Sequence, residues 1–321
     1  MTRLAVSVIA QLALLAGFIH FPASAAFPDR PIQIVVPGAA GSNSDSLVRM
    51  LVNKLSANLG QPIIVDNRPG AGGTVAREYA AKAKPDGYTL LYGSVGTFCV
   101  SPKAGTGVAY DVLREFDAVT LVGRAPATLL VHPEVPARTL PEFVAYARAN
   151  PGRIAYGSPG EGSAHHVVAM LLEQVADIRL VHVPYKNGPQ EMVDLVGGQI
   201  QAAMEFAPVA APLVRAGKLR ALVVAGDGEI PLLPGVPSAK DAGMPGFNLP
   251  GWAGFVAPTG TPPEIIARLG AELATALKQP DVTQAQVQVG VEIAASPPNE
   301  FAAYLRSECG RWSSIIERGR K

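Results

Sequence analysis

The segment that most limits how this chain folds runs from Ile32 to Leu55. Ile32, Ile34, Val35 and Val36 read as a buried strand, and Leu47, Val48, Leu51, Val52 and Leu55 read as one face of a helix. Between them lies Pro37-Gly38-Ala39-Ala40-Gly41-Ser42-Asn43-Ser44-Asp45, in which Ser42, Asn43, Ser44 and Asp45 are candidate N-caps. A small-residue turn from strand to helix leaves backbone N–H groups unpaired. The helix dipole adds partial positive charge, so the turn suits an anion. No Lys follows the glycines as in a Walker loop, and their spacing is not that of a dinucleotide fingerprint. A carboxylate fits better than a nucleotide phosphate. The alternative is an ordinary capped helix start.

The same unit recurs. Pro62–Asp66 reads as a strand, Asn67–Thr74 as a glycine-rich loop and Val75–Lys84 as a helix. Tyr88–Tyr92 is a third strand, ending in Gly93-Ser94-Val95-Gly96-Thr97. Strand–loop–helix alternation builds a parallel sheet with helices on both faces, and ligands sit at the carboxyl ends of its strands. A second set follows. Ala118–Val122, Thr128–Val131, Ile154–Tyr156, Leu180–Val183, Gln199–Glu205 and Leu219–Ala225 read as strands. Leu140–Ala149, capped by Thr139, and the segments Ala164–Val175, Glu191–Val196 and Pro208–Ala216 read as helices. The loop Gly157-Ser158-Pro159-Gly160-Glu161-Gly162-Ser163 repeats the logic of the opening turn. Pro231–Pro250 reads as a surface connection, Trp252–Ala257 as a strand, and Pro263–Lys278 and Asn299–Arg318 as helices. The chain thus leaves a first α/β unit near Gly123–Thr128, builds a second and returns near Leu249–Phe255. The expected fold is α/β with two lobes, each a mostly parallel sheet flanked by helices, and a ligand cleft between them that closes by hinge motion. Lobe 1 is 27–123 plus 253–321, and lobe 2 is 124–252.

The N-terminus reads as a secretory signal peptide over residues 1–26. Arg3 precedes an uncharged apolar stretch, Leu4–Phe21, and Ala23-Ser24-Ala25-Ala26 is a small-residue cleavage site, with cleavage near Ala25-Ala26. Its removal leaves about 295 residues, enough for one large or two ordinary domains. Without Arg3 the 27 Lys and Arg fall to equal the 26 Asp and Glu, and no basic stripe appears, which argues against nucleic acid as a partner. Cys99 and Cys309 read as two isolated small hydrophobes, although an exported, oxidising compartment leaves a disulfide open.

At this point the chain resembles a known family, the substrate-binding proteins of tripartite tricarboxylate transporters, or Bug-type receptors. The stretches that carry the resemblance are Phe27-Pro28-Asp29-Arg30-Pro31-Ile32, Asn67-Arg68-Pro69-Gly70-Ala71-Gly72-Gly73, Pro85-Asp86-Gly87-Tyr88-Thr89-Leu90-Leu91, Val183-Pro184-Tyr185-Lys186, Gly197-Gly198-Gln199-Ile200 and Ala216-Gly217-Lys218-Leu219-Arg220-Ala221-Leu222. Each is weak alone; in this order they are specific, and they span essentially the whole mature chain. The resemblance implies a type II-like two-lobe periplasmic binding fold of the Venus-flytrap kind, without catalysis or cofactor. It also implies capture of a small organic acid or acidic amino acid and delivery to integral membrane permease subunits. The receptor is expected to be periplasmic and monomeric.

Family members hold a ligand carboxylate through one loop per lobe, partly by ordered water, which maps onto Pro37–Asp45 and Gly157–His165. Where relatives carry an aromatic residue and two prolines, this chain has Gly38, Ala39 and Ala40, so the loop is less bulky or more mobile. Ligand-binding candidates are Gly41, Ser42, Asn43, Ser44 and Asp45 in the first loop. Ser94 and Thr97 follow the third strand. Ser158, Gly160, Ser163, Ala164 and His165 lie in the second loop, and Glu205 ends the strand Gln199–Glu205. Asp45 reads as a cap, since a bare carboxylate facing an anionic ligand repels it. His165 and His166 are not a metal pair, because adjacent helical residues point about 100° apart. Glu205 either meets a cationic or hydroxyl group of the ligand or pairs with a basic neighbour. Trp252 and Tyr185 are candidate cleft aromatics, with packing as the alternative.

Two other functions share parts of this pattern. An exported sensory module would use the same fold and pocket. A serine hydrolase draws on the loop serines and five histidines, but no Gly-x-Ser-x-Gly elbow occurs: Tyr92 stands two before Ser94, and Tyr156 two before Ser158.

Overall fold

The computed structural model describes residues 27–100, 112–186 and 188–319. The expected signal peptide, residues 1–26, lies outside the described residues.

Two sheets form, and each nucleates where the apolar runs lie. The first takes β1 (Ile32–Val36), β2 (Ile63–Asn67), β3 (Thr89–Ser94), β4 (Phe116–Ala125), β10 (Gly251–Pro258) and β11 (Glu292–Ile293), in the order β11-β4-β10-β3-β1-β2. β1 pairs in parallel with β2 and β3, while β10 runs antiparallel to both β3 and β4, and β11 antiparallel to β4. The second takes β5 (Ala127–Val131), β6 (Ala155–Ser158), β7 (Val181–Pro184), β8 (Ala202–Phe206) and β9 (Arg220–Val224), ordered β7-β6-β8-β5-β9. Here β6 pairs in parallel with β7 and β8, and β5 runs antiparallel to β8 and β9. The strands of the strand–loop–helix units therefore share one direction in each sheet. The reversed central strands, β5 and β10, are the ones by which the chain enters the second sheet and re-enters the first. Only Pro126 separates β4 from β5.

Local chemistry sets the helix starts. Ser42 caps α1 (Asn43–Leu59), accepting from Asp45 N, and Gly60 ends it in the left-handed region at φ 71°. α2 (Thr74–Ala81) and α3 (Val112–Glu115) follow. Thr139 caps α4 (Leu140–Ala149), and Ser163 caps α5 (Ala164–Ala176). α6 (Gly188–Val196), α7 (Ala207–Arg215), α8 (Pro263–Leu277), α9 (Pro280–Gln288) and α10 (Pro298–Gly319) complete the set.

Three features depart from the sequence reading. Cys99 and Cys309 are joined in a disulfide, with Cα atoms 4.7 Å apart across 210 positions of chain. The reading of two isolated hydrophobes fails because α10 folds back over the wide turn Gly96–Val100 that carries Cys99. The segment 231–250 is anchored rather than superficial: Leu233, Val236, Phe247 and Leu249 are buried among its prolines and glycines. α9 and β11 also lie where no element is expected. α9 buries only Val282 and Gln286, too few for an apolar period to show.

One core cluster runs from Phe98 through Trp252, Phe301 and Trp312 into the second lobe, and another fills the opposite face of the first sheet around Leu51, Phe255 and Leu269. α10 touches both lobes. It packs on β4 and on the Cys99 turn, and against α5, where Gln174 Nε2 donates to Ile315 O at 3.0 Å.

Candidate functional site

Between the sheets lies a cleft of about 460 Å³. From the first sheet it is walled by Ser94 at the end of β3, by Val122–Ala125 of β4 and by Gly251–Ala253 of β10. From the second it is walled by Pro159 and the 162–165 loop and by Phe206. Leu47, Gln286 and Val291 close the remainder.

The opening turn is built to be rigid. The Asp45 carboxylate is almost fully buried. It accepts from Gly41 N (2.8 Å), Arg49 Nε (2.8 Å) and Asn67 Nδ2 (2.9 Å), and Asn67 Nδ2 also donates to Gly38 O. The bond from Arg49, then that from Gly41 N–H, hold its carboxyl down at about 2. Ser42 Oγ accepts from Asp45 N and sits 3.1 Å from Ser44 Oγ. Gly41 and Asn43 are exposed. Gly41, Ser42, Ser44 and Asp45 are tied together by these bonds, and none of the five residues 41–45 lines the cleft; Leu47, one turn into α1, does.

Ser94 lines the cleft and is exposed, whereas Thr97 is buried in the wide turn and its carbonyl accepts from Arg77 Nη1 at 3.1 Å. Phe98 points inward and stacks on Trp252, ring centroids 6.0 Å apart.

In the second lobe the loop is clamped from behind by histidines. Ser158 Oγ is fully buried, 2.7 Å from His182 Nε2, and donates to Gly160 O. Gly160 sits at φ 123°, which favours glycine. Gly162 N donates to His166 Nδ1 at 2.9 Å, so that nitrogen carries no proton. The His166 and His182 rings stack at 3.8 Å. Burial, then the His182 charge, push His166 down to about 4, and burial pushes His182 down as well.

This clamp presents Ser163, Ala164 and His165 to the cleft. Ser163 Oγ takes the His166 N–H, leaving the N–H groups of Ala164 and His165 at the helix start without intrahelical acceptors. His165 Nε2 meets Glu205 Oε1 at 3.2 Å, and its ring packs edge-on against Phe206 at 4.9 Å.

Glu205 therefore stands behind His165 rather than on the wall. Its Oε1 also accepts from Phe206 N at 2.7 Å, and it is 5 % exposed. Deeper still lies Glu191 of α6, fully buried, with neither carboxyl oxygen hydrogen-bonded. Burial, then the Glu205 charge, push Glu191 up to about 8.

Ser94, Ser163, Ala164 and His165 are thus brought together. Gly41–Asp45, Thr97, Ser158, Gly160 and Glu205 support the walls. Trp252 lines the cleft, while Tyr185 donates its hydroxyl to Asp194 and lies elsewhere. Sequence reasoning missed Arg124, the one full cation among the described wall residues. Its signal is a lone basic residue in the apolar run Ala118–Ala127, at the point where the chain changes sheets. Gln286 was hidden on the unexpected α9. Among the described residues no group of three or more metal-ligating side chains gathers, and no helix is long and apolar enough to cross a membrane.

Two α/β lobes connected by crossing strands, with a small-molecule cleft between them, define a two-lobe solute-binding receptor. The chain belongs to the tripartite tricarboxylate transporter family receptors, whose family model matches residues 47–320. It is 33% identical over 318 residues to Protein BugT of Bordetella pertussis, covering 98% of this chain and 97% of BugT. Among solved structures it resembles MatC of Rhodopseudomonas palustris with bound malate: 33% identity, TM-score 0.76, 90% of this chain and 100% of that one. It also resembles Rpa4515 of R. palustris with adipate: 30% identity, TM-score 0.78, 91% and 98%. The resemblance read from the sequence and the two-lobe fold are both borne out.

Proposed function

We propose that this protein captures a small carboxylate in the interlobe cleft and hands it to the integral membrane subunits of a tripartite tricarboxylate-type permease. It acts in the periplasm once residues 1–26 are removed. Lobe 1 is 27–123 with 253–321, and lobe 2 is 124–252, so both hinge crossings border the cleft. The observation that carries this reading is the start of α5. Ala164 and His165, whose N–H groups stand at the positive end of a helix dipole without intrahelical acceptors, line the cleft from the second sheet, and Ser94 and Arg124 line it from the first. Two relatives, MatC and Rpa4515, are described with malate and with adipate.

A receptor also suits the Ser158–His182 pair better than a hydrolase does. Ser158 is sealed under Gly160 with no surface for a substrate. The test is a thermal-shift screen of dicarboxylates, tricarboxylates, acidic amino acids and aromatic acids. A ligand at a hundred times its Kd stabilises the folded state by about 2.7 kcal/mol. At least one acid class is expected to raise the Tm; a flat response across all of them refutes the reading.

A further inference from the structure

One polar side chain in the cleft wall is a poor choice for packing alone. Gln286 lines the cleft, is 6 % exposed, and stands one turn after Val282 on the buried face of α9. Val282 packs in the core cluster that also holds Leu47 and Tyr92, with Ala253 and Ile293 against it. An apolar side chain at 286 would extend that core, whereas an amide there gives up water and needs a partner. Neither Gln286 Oε1 nor Nε2 hydrogen-bonds a described residue. Unlike the Glu191 carboxylate and the Trp252 indole N–H, these two atoms are not sealed off, so the amide is open to the cleft it lines.

The backbone fixes where this amide stands. Gln286 O accepts from Val291 N at 2.9 Å, and Val291 lies over Gly123, where an added Cβ would fall 2.9 Å from Val291 Cγ1. Gly123 pairs with Ala253 on β10, and Ala253 with Ser94 on β3. Tyr92, two residues before Ser94, shares its face of the sheet. The cleft wall from α9 to β3 thus carries an amide and two hydroxyls, and neither hydroxyl hydrogen-bonds a described residue. A primary amide offers two N–H donors and a carbonyl acceptor. A ligand group that only accepts, or only donates, leaves part of it unpaired in a buried place. A hydroxyl or a carboxamide satisfies both sides.

We propose that Gln286 is a specificity-determining residue of the cleft. Its amide hydrogen-bonds a neutral substituent of the bound acid that both donates and accepts, a hydroxyl first among them, while the acid's carboxylate sits at the α5 start. This rests on the carboxylate-receptor reading above and deepens it.

The test is calorimetric titration of the mature protein with acids matched in pairs: malate with succinate, 4-hydroxybenzoate with benzoate, and 6-hydroxyhexanoate with hexanoate. Each pair differs by one hydroxyl and keeps its carboxylates. In at least one pair the hydroxy acid is expected to bind about fivefold tighter or more. Gln286→Met, which keeps the length of the side chain and removes the amide, is expected to bring that ratio close to one and to weaken the unsubstituted acid little. It is also expected to raise the Tm of the acid-free protein by about 2 °C, because an apolar group replaces a buried amide without a protein partner. Gln286→Leu is expected to behave alike, and far-UV circular dichroism shows that both variants fold. A ratio near one in every wild-type pair, or a ratio that persists in both variants, overturns the assignment. A lower Tm in both variants reveals a structural role for the amide and overturns it as well. No heat from any of the six acids refutes this inference, and no stabilisation across the wider acid screen refutes the receptor reading with it.

Discussion

Glu191 offers a prediction whose size follows from burial and a neighbouring charge. Its side chain lies against Gly157, where an added Cβ would fall 2.6 Å from Glu191 Cγ, and against the fully buried Ile200 region. With no hydrogen-bond partner and the Glu205 carboxylate nearby, its carboxyl is pushed up to about 8 from 4.5. A raised folded pKa means that the native state keeps a proton which the unfolded chain has lost. That contribution to stability is full below about pH 4.5 and is lost progressively as pH rises through about 8. Each unit is worth 1.36 kcal/mol, so the loss is about 3 kcal/mol by pH 7 and about 5 kcal/mol by pH 8.5. Glu191→Gln is nearly isosteric and stays neutral. It is expected to match wild type near pH 4.5 and to exceed it by about 3 kcal/mol at pH 7. Urea unfolding followed by circular dichroism at pH 5, 7 and 8.5 measures this. Parallel stabilities for the two proteins across that range would refute a buried, proton-holding Glu191.

The histidine clamp predicts the opposite slope. His166 and His182 are depressed, so their contribution is full above pH 6.5 and is lost as pH falls towards about 4, and His166→Gln is expected to flatten the acid side of the urea-derived stability profile. The Cys99–Cys309 bond closes a long loop, so Cys99→Ala/Cys309→Ala is expected to lose about 2–4 kcal/mol. Reductant should lower the Tm of wild type but not that of the double variant. Ser163→Ala removes the α5 cap, which costs about 1 kcal/mol and weakens carboxylate binding with it. Unchanged affinity in a folded Ser163→Ala protein would argue against the loop as a contact. Asp45→Asn, which loses the acceptor for Arg49 and loosens that for Gly41 N, is expected to speed amide exchange at Gly41 while leaving the fold intact.

Much of this fold was legible because its punctuation is local. Thr139, Ser42 and Ser163 cap the helices that follow them. What stayed hidden depends on partners far along the chain. The disulfide needs α10 to return over the Cys99 turn, and the burial of Phe247 and Leu249 needs the second lobe beneath them. α9 has too little apolar period to announce itself. At the site, strand ends and helix starts pointed to Ser94, Ser163, Ala164 and His165. A position at a strand end does not tell a wall residue from one behind it, so Glu205 looked like a contact although it stands behind His165. Arg124 was passed over because a single charge in an apolar strand carries no periodic signal.

The carboxylate anchor itself is tested most directly by a crystal structure of the mature protein with the acid that stabilises it most. The carboxylate oxygens should lie within about 3 Å of the Ala164 or His165 N–H and of Ser94 or Arg124. A carboxylate seated outside the interlobe cleft, or inside it with its charge turned towards Leu47 and Val291, would contradict the account.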